Sequence, residues 1–238
     1  MLDRRQILAA IGTTAIAALG ARSAWAAPIK PDEASALLVI DVQNCFLPGG
    51  SLAVKDGEQV VPIINRIAKS FSNVVMTQDW HTPGHVSFAS AHDGKKPFDV
   101  IDLAYGKQVL WPDHCVQGTD GAALSKDLSI PQAELIIRKG YHKDTDSYSA
   151  FTEADGKTTT GLAAYLKARG VKRVFIAGLA TDFCVCWTAL DARKAGLEAY
   201  VIEDACRGID TKGSLAKAWA DMAKAGVKRI QSSDIAVA

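Results

Sequence analysis

Charge of either sign is not in excess in this sequence. Its 27 Lys and Arg stand against 26 Asp and Glu, a formal +1 at neutral pH, and the basic residues are scattered along the chain. That excludes a nucleic-acid groove or an anionic-membrane surface as the feature the chain is built around, because both need clustered cations. Cysteine is scarce as well: five in 238 residues are too few for a disulfide scaffold at this size. Internal repeats and low-complexity runs are missing, which removes solenoids and disordered tails. Long apolar runs are absent too. The weakly apolar stretch Ala9 to Gly20 is too short and too rich in Ala, Gly and Thr to cross a bilayer, which needs about 20 strongly apolar residues. The expected partner is therefore a small molecule, with no nucleic acid and no stable membrane association; homo-oligomerisation is left open.

What is present is enough apolar material, 48% of residues, for one sizeable α/β domain over 27–238. Ahead of it, Asp3-Arg4-Arg5-Gln6-Ile7-Leu8, the weakly apolar middle and Ala24-Trp25-Ala26 before Ala27-Pro28 have the layout of a secretory signal. The arginine pair followed by Ile-Leu is of the twin-arginine type, so residues 1–26 are expected to direct export to the periplasm and to be cleaved after Ala26. A retained anchor or an N-terminal helix of the fold is the competing interpretation.

Strands and helices alternate along the rest. Ala36 to Ile40 is a continuous apolar run that suits a strand buried on both faces, and Asp41 ends it. Val60 to Phe71 carries apolar residues at helical spacing. Asn73 to Thr77 is a second strand with Asp79 just past its end, and Glu134 to Ile137 a third, followed by Arg138-Lys139-Gly140. Helices are expected near 160–169 and 215–225, and strands at 174–177, 199–202 and 227–230. Thr82 to Asp120, rich in Gly, Pro and His, has the length and irregularity of a functional loop or lid. The order predicts a three-layer α/β/α fold with a mostly parallel central sheet whose ligands bind beyond the carboxyl ends of the strands.

Chemistry collects at those ends. Val174 to Ala177 reads as a strand, Gly178 as a turn, and Thr181 or Asp182 as the cap of a helix carrying Phe183, Trp187 and Leu190. Cys184 then falls in the first helical turn, where free N–H groups and the helix dipole favour a thiolate. A lone cysteine at such a junction is just as well a small buried hydrophobe. Asp41 and Lys139, at two other strand ends, supply what a cysteine nucleophile needs, a base and a cation. A second constellation is Asp79-Trp80-His81 with His85 and, further on, Trp111-Pro112-Asp113-His114-Cys115. Asp79, His81 and His114 suit one divalent ion, zinc first and iron or manganese as alternatives. His85 is either a further ligand or a residue behind the ligands.

Together I-D-V-Q-N-C-F with P-G-G-S-L-A-V, Q-D-W-H-T-P-G-H-V-S-F-A-S, W-P-D-H-C-V-Q-G, R-K-G with D-S-Y-S-A-F, G-L-A-T-D-F-C-V and D-A-C-R-G resemble the nicotinamidases, pyrazinamide-hydrolysing amidases of the isochorismatase-like hydrolase family. The resemblance covers nearly all of Ala36 to Gln231. It implies that Asp41 is the general base, Lys139 its charge partner and Cys184 the nucleophile, with a thioester intermediate and loss of ammonia. It further implies a cis peptide at Leu179-Ala180, an oxyanion hole from the N–H groups of Ala180 and Cys184, metal ligands Asp79, His81 and His114, and aromatic walls Phe46, Trp111 and Tyr148 around a pyridine ring. The sequence departs from the pattern at Cys45, where the family usually has Asp, and at Cys186, which makes a C-x-C with Cys184 without the geometry to share a ligand or a bridge. An N-carbamoyl or ureido amidohydrolase of the same family, or a periplasmic binding protein that kept the fold without turnover, are the other readings.

Overall fold

A computed structural model describes residues 27–236; the expected export signal at 1–26 lies outside them. Eight strands and four α-helices follow in order: β1 (Ser35–Ile40), α1 (Val60–Ile67), β2 (Asn73–Asp79), β3 (Val100–Leu103), β4 (Gly106–Val109), β5 (Leu135–Lys139), α2 (Leu162–Ala168), β6 (Arg173–Leu179), α3 (Cys186–Lys194), β7 (Glu198–Arg207), α4 (Ser214–Lys224) and β8 (Lys228–Ile230). Six strands form one sheet in the order β5-β2-β1-β6-β7-β8, and every pairing in it is parallel. Parallel strands need helical crossovers, and these cover both faces. The apolar run of β1 shows why: Leu37 and Val39 enter a core with α1, Phe71, Phe175 and Tyr200, while Ala36, Leu38 and Ile40 enter another with Leu162 and Leu166 of α2, Ala189 of α3 and Met222 of α4. The result is the expected three-layer α/β/α architecture.

The chain leaves β1 toward β2 and β5 on one side and returns to β6 on the other. The strand order therefore reverses between β1 and β6, where a crevice opens at the carboxyl ends. Asp41 follows β1 and Cys184 follows β6, so the topology alone sets them on either side of it.

Four local expectations change. The first helix stops at Ile67 and continues as a 3-10 turn, Ala68–Ser70. Strand β7 runs on to Arg207 through the polar pair Glu203-Asp204, which reads as a strand end in sequence; after a register shift, Cys206 and Arg207 pair again with Gly178 and Leu179. Within the long loop, β3 and β4 form an antiparallel hairpin with four of its eight strand residues exposed, the apolar Val100 among them, and so without a clear apolar alternation in sequence. Finally, Cys184 lies in a π-helical turn, Thr181–Val185, ahead of α3, with Ala180 as its extended flanking residue and no side-chain cap. Asp182 is used elsewhere: its carboxylate accepts the N–H groups of Ile209 and Asp210 at 2.9 Å each and the hydroxyl of Ser214. Trp187 does not sit on the buried stripe either and is 47% exposed.

Candidate active site

Lys139 is the last residue of β5, in register with Asp79 of β2, and its ammonium is fully buried. It lies 2.8 Å from Asp41 Oδ2, contacts Asp79 Oδ1, and donates to Cys184 Sγ at 3.2 Å and to the Ser147 carbonyl at 3.1 Å. The three strand-end groups thus meet around one cation, and the reactive atoms of Asp41, Asp79 and Cys184 lie within 4.8 Å of one another. A buried ammonium is tolerated when carboxylates surround it. Burial would push Lys139 down, but Asp41 and Asp79 outweigh it and hold it well above the ordinary lysine range. The same cation, after opposing burial, holds Asp79 well below the carboxylate range.

Asp41 and Cys184 behave differently. Burial pushes the Asp41 carboxyl up, against the pull of Lys139, and pushes the Cys184 thiol well up, again with Lys139 opposing. The expectation of a thiolate at a helix start is corrected here: desolvation of the sulfur outweighs the cation beside it, and the sulfur rests as a thiol. Asp41 is poised to take its proton. Its backbone sits at φ 47°, in the left-handed region, and Thr77 fixes it by accepting the Asp41 N–H at 3.0 Å and donating to Oδ1 at 2.6 Å. Oδ2 stands 2.8 Å from the Lys139 ammonium, on the side of Asp41 away from Thr77's hydroxyl bond to Oδ1.

The second constellation also assembles. His81 Nδ1 is 2.8 Å from the Gly140 carbonyl and His114 Nδ1 is 2.8 Å from the Pro112 carbonyl. A carbonyl can only accept, so both rings carry their hydrogen on Nδ1 and turn the Nε2 lone pair inward. Those Nε2 atoms stand 3.5 and 3.8 Å from Asp79 Oδ2. Burial would lower the His81 pKa, but the Asp79 carboxylate raises it overall, so the pocket draws positive charge to this point. Two imidazoles and a carboxylate with converging lone pairs fit a divalent ion of the zinc, iron or manganese kind. Gly140 makes room: at φ 65°, a Cβ there would meet His81 Cε1 at 2.6 Å.

His85 stands beside His81, with ring centroids 4.3 Å apart. Its Nε2 faces the His142 and Thr145 carbonyls at 3.1 and 3.3 Å and its Nδ1 the Ser87 hydroxyl at 2.8 Å; burial lowers its pKa to about 4.

Above Cys184 is a cleft of about 20 Å³ lined by Phe46, Trp111, His114, Tyr148 and Phe183. It has room for about one water, and Cys184 at its floor is 5% exposed. Trp111 Nε1 donates to the Tyr148 hydroxyl at 3.0 Å, and Phe183 packs edge-on to Trp111 at 4.7 Å. Leu179-Ala180 is a cis peptide, and Ala180 lines the same cleft.

Sequence reasoning missed Thr77, Gln43, Gln108 and Phe183 as parts of this site. Gln43 clamps Asp79 from both sides, accepting its N–H and donating to its carbonyl at 2.8 Å each. Gln108 Nε2 donates to Asp146 at 2.7 Å and to the Tyr148 hydroxyl at 3.2 Å. A buried polar residue in an apolar strand was the available signal for Thr77, and Phe183 was legible only as a helix-stripe residue.

The isochorismatase domain pattern matches residues 35–234. A nicotinamidase of Acinetobacter baylyi is 60% identical over 202 residues, 85% of this chain and 94% of its own length. The structure of a nicotinamidase/pyrazinamidase from Acinetobacter baumanii is 60% identical, with a TM-score of 0.85 over 86% of this chain and 99% of that one. A pyrazinamidase of Pyrococcus horikoshii solved in complex with zinc is 36% identical, with a TM-score of 0.68 over 83% of this chain and 98% of that one. With the crevice, the buried cation and the family pattern over nearly the whole described domain, the chain belongs to the isochorismatase family.

Proposed function

We propose that this protein is a nicotinamidase, hydrolysing nicotinamide to nicotinate and ammonia through a thioester on Cys184, with pyrazinamide as a close substitute. The observation that carries the reading is the burial of Asp41, Lys139 and Cys184 around one point at the floor of an aromatic cleft. Similarity to relatives named for the same activity supports it.

The chemistry follows from the groups. As Cys184 Sγ attacks the carboxamide carbon, its proton passes to Asp41 Oδ2, whose raised pKa makes it a competent base and then a competent acid. The Lys139 ammonium keeps carboxylate and sulfur together while charge shifts between them. The negative charge growing on the carbonyl oxygen is assigned to the N–H groups of Ala180 and Cys184. Asp41 returns the proton to the departing nitrogen, ammonia leaves, and a thioester remains. Water then adds to that carbonyl as Asp41 again takes a proton, and breaking of the C–S bond gives nicotinate and the free thiol. Phe46, Trp111, Tyr148 and Phe183 hold the ring by stacking and edge contacts. Asp79, His81 and His114 would hold a divalent ion, zinc first, which supplies a Lewis-acidic handle for the polar side of the substrate.

The test is ammonia release across an amide panel. Nicotinamide and pyrazinamide should turn over, N-carbamoyl amino acids should not, and benzamide, which has the shape without the ring nitrogen, should have a kcat/KM at least about 100-fold lower than nicotinamide. Equal values for benzamide and nicotinamide would show that the site does not read the ring nitrogen; turnover of the carbamoyl compounds alone would replace the proposed substrate.

A further inference from the structure

Cys45 and Cys115 are joined by a disulfide, 70 residues apart in sequence with Cα atoms 5.6 Å apart. Both are 1% exposed. Neither takes part in the proposed chemistry, yet each is the chain neighbour of a residue that does: Phe46 follows Cys45, and His114 precedes Cys115. The two rings meet across the cleft at a centroid distance of 5.6 Å. The bridge therefore closes a small frame made of the disulfide, the Phe46 wall and one imidazole that faces Asp79.

The frame reaches the other imidazole as well. The Cys115 carbonyl accepts the N–H of His81 at 3.1 Å, and the His81 carbonyl accepts the N–H of Gln117 at 2.9 Å. Cys115 holds this position at φ 44°, a left-handed conformation that a non-glycine residue keeps only where its surroundings impose it. On the other side, the Cys45 carbonyl accepts the Leu52 N–H at 3.0 Å and the Phe46 carbonyl the Val54 N–H at 2.9 Å. Gly50 packs so close that a Cβ there would lie 2.3 Å from the Cys45 carbonyl oxygen. One end of the bridge is thus set in the loop that carries the ring wall. The other lies in the segment that presents His114 and supports His81.

We infer that the Cys45–Cys115 disulfide is a positioning pair: it fixes Phe46 against His114 and holds both histidines aimed at Asp79, so that metal retention and ring binding depend on it while the Cys184 chemistry does not. The inference rests on the nicotinamidase reading for the ring, but its metal half stands without turnover. Cys115 adjoins His114 in the chain and its carbonyl accepts the His81 N–H, and a change behind residues that would hold a metal typically costs 10- to 100-fold in metal affinity.

The experiment uses the full oxidised chain and two ways of opening the bridge. One is the double variant Cys45→Ser/Cys115→Ser. The other is wild type treated with dithiothreitol, which takes up the disulfide as two thiols and is itself oxidised to a cyclic disulfide, followed by removal of the reagent without air. A thiol count confirms the opening by rising from three to five, since Cys184, Cys186 and Cys206 are free. Each protein is loaded with Zn²⁺, and transfer of the ion to a chromophoric chelator is timed; KM and kcat for nicotinamide are then measured on the loaded proteins. Opening the bridge should speed Zn²⁺ release at least about 10-fold and raise KM several-fold, with kcat changed by less than KM. If the variant does not fold, the reduced wild type carries the test. Unchanged Zn²⁺ release and unchanged KM, with only a lower melting temperature, overturn the inference, and so does a wild-type protein that retains no Zn²⁺. Failure of the oxidised wild type to turn over nicotinamide sinks the functional reading instead, while the release rates still decide the metal half.

Discussion

At the scale of single residues, the site is a set of buried charges that would each be costly alone. Lys139 without Asp41 and Asp79 would be a bare ammonium in the core, and either carboxylate without Lys139 would face the other. Placing Cys184 beside this cluster gives a thiol that is unreactive by its own acidity and becomes a nucleophile only as Asp41 removes its proton. The neighbouring thiol Cys186 faces the opposite way, toward the Ala218 carbonyl 3.8 Å away. The two cysteines should therefore separate cleanly. Cys184→Ala is expected to lower kcat at least about 10⁴-fold, as loss of a nucleophile does, while nicotinate binding, measured by calorimetry, shifts by less than about threefold because the ring contacts come from other side chains. Cys186→Ala should keep activity within about threefold of wild type. Equal losses in the two variants would place the nucleophile elsewhere.

At the scale of elements, the fit between β1 and β6 decides whether Asp41 and Cys184 can share one proton. Gly178 pairs with Ile40 at φ 121°, and a Cβ there would lie 2.1 Å from the Ile40 carbonyl oxygen. Only glycine lets the strands approach so closely at the point where one delivers Asp41 and the other turns toward Cys184. Gly178→Ala should thus cost at least about 3 kcal/mol of stability, the range of mutations that force backbone apart, and measurable activity should fall with it; a denaturation midpoint equal to wild type would mean that the strands have room to spare. The sequence marks this glycine as a turn after an apolar run; instead it lies inside β6, which runs on to Leu179, because its missing side chain lets β1 pair beside it. The strand ends bearing Asp41, Lys139 and Cys184 were legible, because continuous apolar runs stop abruptly at charged or turn residues. The hairpin β3–β4 was not. Half of its strand residues are exposed and only Gln108 is buried, so little burial pattern is written into them, and its service to the site passes through that one inward residue. The π-helical turn escaped for a related reason: the pull of Asp182 toward Ile209, Asp210 and Ser214 is a long-range contact, and locally Asp182 reads as a helix cap.

At the scale of the whole molecule, burial that serves the site also sets how the fold responds to pH. Cys186 and Cys206 lie in the core between the sheet and the α2–α4 layer, and burial pushes each thiol from 9.0 up to about 12. In the unfolded chain these thiols ionise near pH 9; in the fold they keep their protons until about pH 12. Between those values the unfolded state binds fewer protons, so unfolding becomes easier as pH rises. The contribution is fully present below about pH 9 and is lost on the way to about pH 12. Moving a thiol from 9.0 to about 12 corresponds to about 4 kcal/mol for each, which a melt in alkali can check. Lysines and tyrosines ionise in the same window, so the total slope is uninformative and a difference is needed. Cys186→Ala/Cys206→Ala should be less stable than wild type at pH 8, by the cost of two small cavities, about 1 to 2 kcal/mol each. From pH 9 upward that deficit should shrink at up to about 2.7 kcal/mol per pH unit, the slope of two thiols that ionise only on unfolding, and it should reverse before pH 12. Urea denaturation of both proteins at intervals of half a pH unit measures it. Parallel curves across the window would mean that the two thiols ionise in the folded protein as readily as in the unfolded chain, and that the core around α3 and β7 admits water.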